Sequence, residues 1–140
     1  MIGDKTSDPV HEIKRKLAPL FQEGTLQIAL LFGSTALGRA HKKSDVDLAF
    51  LFDRPVDIVL LTNKVIQLLG TDRVDVVDLR RCSPLLKFAA VSQGTLLHER
   101  SPGLFVAVYS LAFRRYIDTQ KLREAQDRVV KEFLSERGLS

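Results

Sequence analysis

The sequence predicts an α/β (α+β) fold in a single domain. Two apolar runs, residues 26–32 and 45–52, are typical of β-strands that are buried on both faces. Segments with helical periodicity precede, separate and follow the strand-like segments. At 140 residues the chain is long enough for one domain with its own core and too short for two ordinary domains.

The first helix is predicted over residues 9–21, where Pro9 suits the first helical position and apolar residues recur at helical spacing. Pro19 weakens this helix near its end, and Gly24 ends the segment. The chain then enters the first buried strand. A loop over residues 33–44 separates this strand from the second.

The second half of the chain continues the alternation of helices and strands. The predicted elements are a helix over 55–69, a strand over 73–79, a helix over 83–93, a strand over 95–99 and a helical region over 102–136. The last region is one long helix or two helices with a break near Asp118. We therefore expect a core over about 9–99 with a C-terminal helical extension.

The composition indicates a soluble globular protein, with 45% apolar and 27% charged residues. No apolar run approaches the roughly 20 residues of a membrane-spanning helix, and the first eight residues lack the apolar stretch of a secretory signal. The lone Cys82 excludes an internal disulfide and suits the cytoplasm. We interpret Cys82 as a structural thiol, with a nucleophile as the alternative.

The net charge of +4 is mild and fits a nucleotide, RNA or an acidic partner. The chain has no arginine-rich tail and no array of aromatic residues, so we do not expect direct binding of nucleic acid.

Three aspartates are the candidate catalytic residues and metal ligands. Asp45 and Asp47 open the second strand, and residues two apart on a strand point to the same face. Asp75 lies on the third strand and supplies a third carboxylate as metal ligand or general base. Paired carboxylates can hold two Mg²⁺ ions about 3.5–4 Å apart, the requirement of metal-assisted phosphoryl or nucleotidyl chemistry. Asp78 is the rival third acid, although a regular strand would point it to the other face.

The turn and loop after the first strand are the candidate site for a triphosphate. A glycine lets the backbone approach a phosphate closely, and a serine offers a hydroxyl and an N–H. Basic side chains follow in the same loop. The predicted nucleotide ligands are Gly33, Ser34, Arg39, Lys42, Lys43 and Ser44.

The pattern Gly33-Ser34, ten residues, Asp45-x-Asp47 resembles the nucleotidyltransferases of the DNA polymerase β type, in particular the minimal nucleotidyltransferases, or MNT proteins. The strand around Asp75 is also similar. The resemblance implies a mixed sheet flanked by helices, Mg²⁺, and ATP or another NTP as substrate. Relatives commonly carry arginines where this chain has Thr35 and Leu37.

The resemblance extends to the antitoxins of HEPN–MNT toxin–antitoxin pairs. It implies a HEPN ribonuclease as partner, neutralised by transfer of AMP from ATP to one of its tyrosines. One alternative is a non-catalytic antitoxin that masks its toxin. Another is a free-standing transferase for a small molecule or RNA. The plainest alternative is that Gly33 and Ser34 form only a turn and that Asp45 and Asp47 only cap a strand.

Overall fold

The computed structural model describes residues 9–33 and 46–138. Within these ranges the chain forms five helices and four strands. In chain order the elements are α1 (Pro9–Lys16), α2 (Ala18–Phe21), β1 (Leu26–Phe32), β2 (Val46–Phe52), α3 (Ile58–Leu69), β3 (Val74–Asp78), α4 (Pro84–Gln93), β4 (Thr95–Glu99) and α5 (Leu104–Glu136). Of the loop predicted over residues 33–44, only Gly33 lies within the described residues.

The four strands form one mixed sheet in the order β3-β2-β1-β4. β1 pairs antiparallel with both β2 and β4, whereas β2 pairs parallel with β3. The prediction of a mixed sheet flanked by helices is therefore confirmed. None of the helices in 9–33 and 46–138 is long and apolar enough to cross a membrane.

Each face of the sheet carries its own core. On one face, Leu48 and Phe50 of β2 pack with residues from α1, α2 and α3. On the other face, Ala49 of β2 and residues 28 and 30 of β1 pack with α4 and α5. Side chains alternate between faces along a strand, so residue 47 belongs to the face that α4 and α5 cover.

The first helical segment is interrupted at Leu17, although the sequence predicted one continuous helix. α1 ends at Lys16 and α2 begins at Ala18. Pro19 causes this break, because proline has no N–H to donate to the carbonyl four residues earlier. Leu17 and Leu20 are fully buried, so the broken segment still covers the sheet.

Two other helices begin later than the sequence predicted. α3 begins at Ile58 instead of residue 55, since Asp57 Oδ1 accepts hydrogen bonds from the N–H groups of Val59 (2.9 Å) and Leu60 (3.3 Å). This is an N-cap, and it fixes the first helical residue.

α5 begins at Leu104 instead of residue 102. Gly103 adopts a φ of 86°, which turns the chain from β4 into α5, and the N–H of Phe105 donates to Glu99 Oε2 at 2.9 Å. α5 then continues without interruption to Glu136, so the alternative of two helices is wrong.

An ion pair connects the far ends of three strands. Arg100, which follows β4, donates to Asp53 Oδ2 at 3.2 Å and to the carbonyl of Gly24. Asp53 follows β2 and also accepts a hydrogen bond from Arg54 at 2.9 Å. These bonds from Arg54 and Arg100 hold the pKa of the Asp53 carboxyl below its usual value. A lowered pKa in the folded state means that the ionised carboxylate stabilises the fold.

We expect Asp53→Asn to lower the free energy of unfolding near neutral pH. The difference from the wild type should disappear as the pH falls through the lowered pKa of Asp53, because protonation removes the same charge from the wild type. Urea unfolding over a pH series measures this difference. Asp72→Asn, at an exposed aspartate, is the control. If the difference in the free energy of unfolding between Asp53→Asn and the wild type is unchanged at the acid end of the series, the charge of Asp53 does not stabilise the fold.

Candidate active site

Gly33 and Asp47 meet where β1 ends and β2 begins. Phe32 is the register partner of Asp47, and Gly33 follows it with a φ of 83°. A Cβ atom at Gly33 would lie 3.0 Å from the Cγ of Asp47 and would overlap a carboxylate oxygen. Glycine is thus required here both for its left-handed backbone and for the space that Asp47 occupies.

Asp47 is the one buried charged residue in the described part of the chain, with 4% of its surface exposed. Burial of a carboxylate costs free energy unless positive charge or hydrogen-bond donors offset it. A fold tolerates this cost most often where the charge has a function. The buried position of Asp47 therefore favours a ligand role over that of a strand cap.

Asp75 lies beside Asp47 on the neighbouring strand. The two residues are register partners in the parallel pair of β2 and β3, so their side chains share one face. Adjacent strands lie about 4.8 Å apart, which is close enough for two carboxylates to share a cation.

Asp75 is exposed because β3 is an edge strand. The site is consequently open to solvent on the side of Asp75.

Asp78 points away from this pair. Its register partner is Phe50, whose side chain belongs to the core on the opposite face. Its Oδ1 atom accepts a hydrogen bond from the N–H of Arg80 at 3.0 Å. Asp78 also lines a separate cleft of about 700 Å³ that includes Asp57 and Arg81. The geometry therefore favours Asp75 over Asp78 as the acid that acts with Asp47.

Six predicted ligands lie outside the described residues. They are Ser34, Arg39, Lys42, Lys43, Ser44 and Asp45. In the part of the chain that is described, no group of three or more His, Cys, Asp or Glu side chains could hold a metal. Gly33, Asp47 and Asp75 are therefore the predicted site residues that the structure brings together.

The geometry adds one role that the sequence did not indicate. Gly33 was predicted to let the backbone approach a phosphate, but its lack of a side chain also makes room for the Asp47 carboxylate. No local sequence signal contains this contact, since it depends on the register between β1 and β2.

Cys82 lies in a partly buried position away from Asp47. Its Sγ atom is 3.6 Å from the carbonyl oxygen of Leu79, and burial raises the pKa of the thiol. A raised pKa lowers the fraction of Cys82 that is present as the reactive thiolate. This supports the interpretation of Cys82 as a structural thiol.

A mixed sheet with carboxylates side by side on adjacent strands, next to a glycine turn, fits the metal-assisted chemistry of a nucleotidyltransferase. The family model described as polymerase beta, nucleotidyltransferase, matches residues 15–103. This chain belongs to that family and is a nucleotidyltransferase.

Two curated relatives carry a more specific description. Protein adenylyltransferase MntA of Shewanella oneidensis is 40% identical over 101 residues, which cover 69% of this chain and 71% of that protein. Protein adenylyltransferase MntA of Aphanizomenon flos-aquae is 25% identical over 126 residues, which cover 81% of this chain and 84% of that protein.

Solved structures of similar shape are toxin–antitoxin complexes. One, described as a toxin–antitoxin with AMP-PNP, matches with a TM-score of 0.71 and 30% identity over 84% of this chain and 98% of that chain. Another, a tri-AMPylated Shewanella oneidensis HEPN toxin with its MNT antitoxin, matches with a TM-score of 0.68 and 27% identity. That match covers 87% of this chain and 98% of that chain.

We expect Gly33→Ala to destabilise the protein more than Gly70→Ala. Both glycines have positive φ, so each alanine costs about 1–2 kcal/mol of backbone strain. Only the alanine at position 33 also overlaps a side chain, because nothing lies within 4 Å of a Cβ at Gly70. The free energy of unfolding in urea measures both effects.

A double-mutant cycle isolates the contact. If the Asp47 carboxylate causes the extra loss, Gly33→Ala should cost about 1 kcal/mol less in an Asp47→Ala background. Equal costs in both backgrounds would mean that the carboxylate does not contribute to the requirement for glycine.

Proposed function

We propose that this chain is an antitoxin that transfers AMP from ATP to a tyrosine hydroxyl of a HEPN-type toxin and thereby neutralises it. The observation that carries the proposal is the pair of Asp47 and Asp75 beside the glycine turn. The relatives described as protein adenylyltransferases support the choice of a protein acceptor. The complexes with AMP-PNP and with an AMPylated HEPN toxin support ATP and the toxin as substrates.

In the proposed reaction the acceptor oxygen forms a bond to the α-phosphorus of ATP. The bond from that phosphorus to the oxygen bridging to the β-phosphate breaks, and pyrophosphate leaves. Asp75 is exposed beside Asp47, where an incoming hydroxyl can give its proton to the carboxylate or to water. AMP is thus esterified to the toxin, and no oxidation or reduction occurs.

The donor set fits Mg²⁺, which prefers carboxylate oxygens together with substrate phosphates. Asp45, Asp47 and Asp75 would hold it. Bound there, Mg²⁺ supplies Lewis-acid stabilisation of the negative charge that builds up on the phosphates. The protein's own part is to hold the carboxylates rigidly, which the core on both faces of β2 achieves for Asp47.

The remaining predicted ligands complete the proposal. The triphosphate would be bound by the backbone at Gly33 and by the loop that follows it. The loop residues proposed for this role are Ser34, Arg39, Lys42, Lys43 and Ser44. A reducing cytoplasm is the proposed location, supported by the lone cysteine.

Asp47→Asn should abolish transfer of label from α-labelled ATP to the proposed HEPN-type toxin. We expect a loss of a hundredfold or more, equivalent to about 3 kcal/mol of charge stabilisation, and a similar loss for the wild type in EDTA. The measurement is the initial rate of labelling of the toxin, with folding checked by circular dichroism.

The other possible outcomes either overturn the proposal or assign a different function to the chain. Absence of labelling by the wild type would overturn the proposal. If Asp47→Asn transfers no label and still suppresses toxicity on co-expression, the chain neutralises its toxin by masking. Label on a small molecule or tRNA, with none on the toxin, would identify a free-standing transferase.

The third acid is tested by a matched pair of variants. Asp75→Asn should lower the transfer rate about a hundredfold or more, because it removes the carboxylate beside Asp47. Asp78→Asn should leave the rate within about twofold, because its side chain faces the other core and an asparagine oxygen can still accept from Arg80. The reverse result would assign the role to Asp78.

A further inference from the structure

α5 is much longer than the domain needs. It has 33 residues and a length of about 50 Å. Its first half packs on the sheet and on α4, where Phe105, Val108 and Ala112 join the core and Tyr116 stacks on Phe88 at 4.6 Å. In the described chain no residue of α5 beyond Tyr116 belongs to either core. The second half of α5 therefore lies outside the packed domain.

A row of large apolar side chains runs along one side of α5 and remains exposed. Its members, the apolar stripe, are Leu111, Leu122, Val129 and Phe133, with exposed fractions of 41%, 58%, 65% and 51%. Successive members are three, two and one helical turns apart, so all four lie within about 40° around the helix axis. The stripe spans about 33 Å, and the charged residues Arg115 and Asp118 lie on the same side between Leu111 and Leu122.

Such a stripe is unusual on a helix that extends from a domain. A helix that nothing packs against is marginal in water, and exposed apolar side chains along one side of a helix are typical of a surface that binds another helix. The intervals of seven and four residues from Leu122 to Val129 and Phe133 favour a helical partner, because side chains at such spacing form a ridge that fits the groove of a facing helix.

The comparisons point to a toxin as the partner of a chain with this helix. The family model ends at residue 103, where α5 begins, so the nucleotidyltransferase core does not include this helix. The match to the toxin–antitoxin structure with AMP-PNP covers 84% of this chain, about 118 of its 140 residues. At least about 15 matched residues therefore lie beyond Gly103, in the region of α5. Chains that occur in complexes with a toxin thus share part of a helix that lies outside the family core.

We propose that the apolar stripe docks an amphipathic helix of the acceptor toxin, so that α5 selects the protein whose hydroxyl the active site modifies. This inference rests on the proposed function for the identity of the partner. The stripe begins at Leu111 on the packed half of α5 and extends along the free half. Docking there raises the local concentration of the acceptor without touching the nucleotide.

The test replaces two stripe residues with serine and measures binding of the proposed HEPN-type toxin in the absence of ATP. Leu122→Ser with Val129→Ser should weaken the complex at least about tenfold in isothermal titration calorimetry. The control is Glu124→Ser with Lys131→Ser, because these exposed residues have the same seven-residue spacing, lie on the opposite side of α5 and leave the net charge unchanged. The control should bind like the wild type.

Transfer kinetics give a second measure. The stripe variant should raise the KM for the toxin about tenfold and leave the KM for ATP unchanged. Circular dichroism must show the same helix content in both double variants. A single charged replacement, Val129→Glu, should reproduce the loss of toxin binding.

Three results would overturn the inference. The first is unchanged toxin affinity and KM in the stripe variant, and the second is no binding of the toxin by the wild type. The third is a wild-type dimer in light scattering that the stripe variant converts to a monomer with full toxin affinity, since the occupant would then be a second copy of this chain. Binding of the toxin without transfer of AMP would instead contradict the proposed function and leave the docking surface in place.

Discussion

The candidate site depends on the register of β2. Antiparallel pairing with β1 places Asp47 opposite Phe32 and against Gly33, and parallel pairing with β3 places it beside Asp75. A shift of β2 by one residue would turn Asp47 to the other face of the sheet and separate it from both neighbours. The chemistry of the site is thus a consequence of how one central strand is aligned.

The two cores hold that register. β2 contributes Leu48 and Phe50 to one core and Ala49 to the other, so a one-residue slip would exchange small and large side chains across the sheet. The same packing keeps water from most of Asp47, which strengthens its interaction with a cation. Burial is costly for a carboxylate and therefore also prepares Asp47 to bind positive charge.

Much of the fold could be predicted because its signals are local. Residues 26–32 and 95–99 were predicted as strands with the bounds that the structure has, because turn residues and apolar runs mark their ends. The predicted start of α3 was three residues too early. Proline often occupies the first turn of a helix, which favoured a start at Pro55, but the N-cap is Asp57. The pairing of Asp47 with Asp75 and the exposure of Asp75 depend on strand order, which no local pattern contains.

An exposed acid at the edge of the sheet creates a problem of selectivity. Because β3 is an edge strand and Asp75 is exposed, its carboxylate is open to any hydroxyl that diffuses to it. Contacts remote from the reacting atoms can supply the missing discrimination, because binding energy gained there positions one acceptor and no other. A long helix that leaves the domain with its apolar side uncovered is a means of gaining that energy. Nucleotide chemistry and acceptor choice would then belong to separate parts of the chain, which allows one to change in evolution while the other is retained.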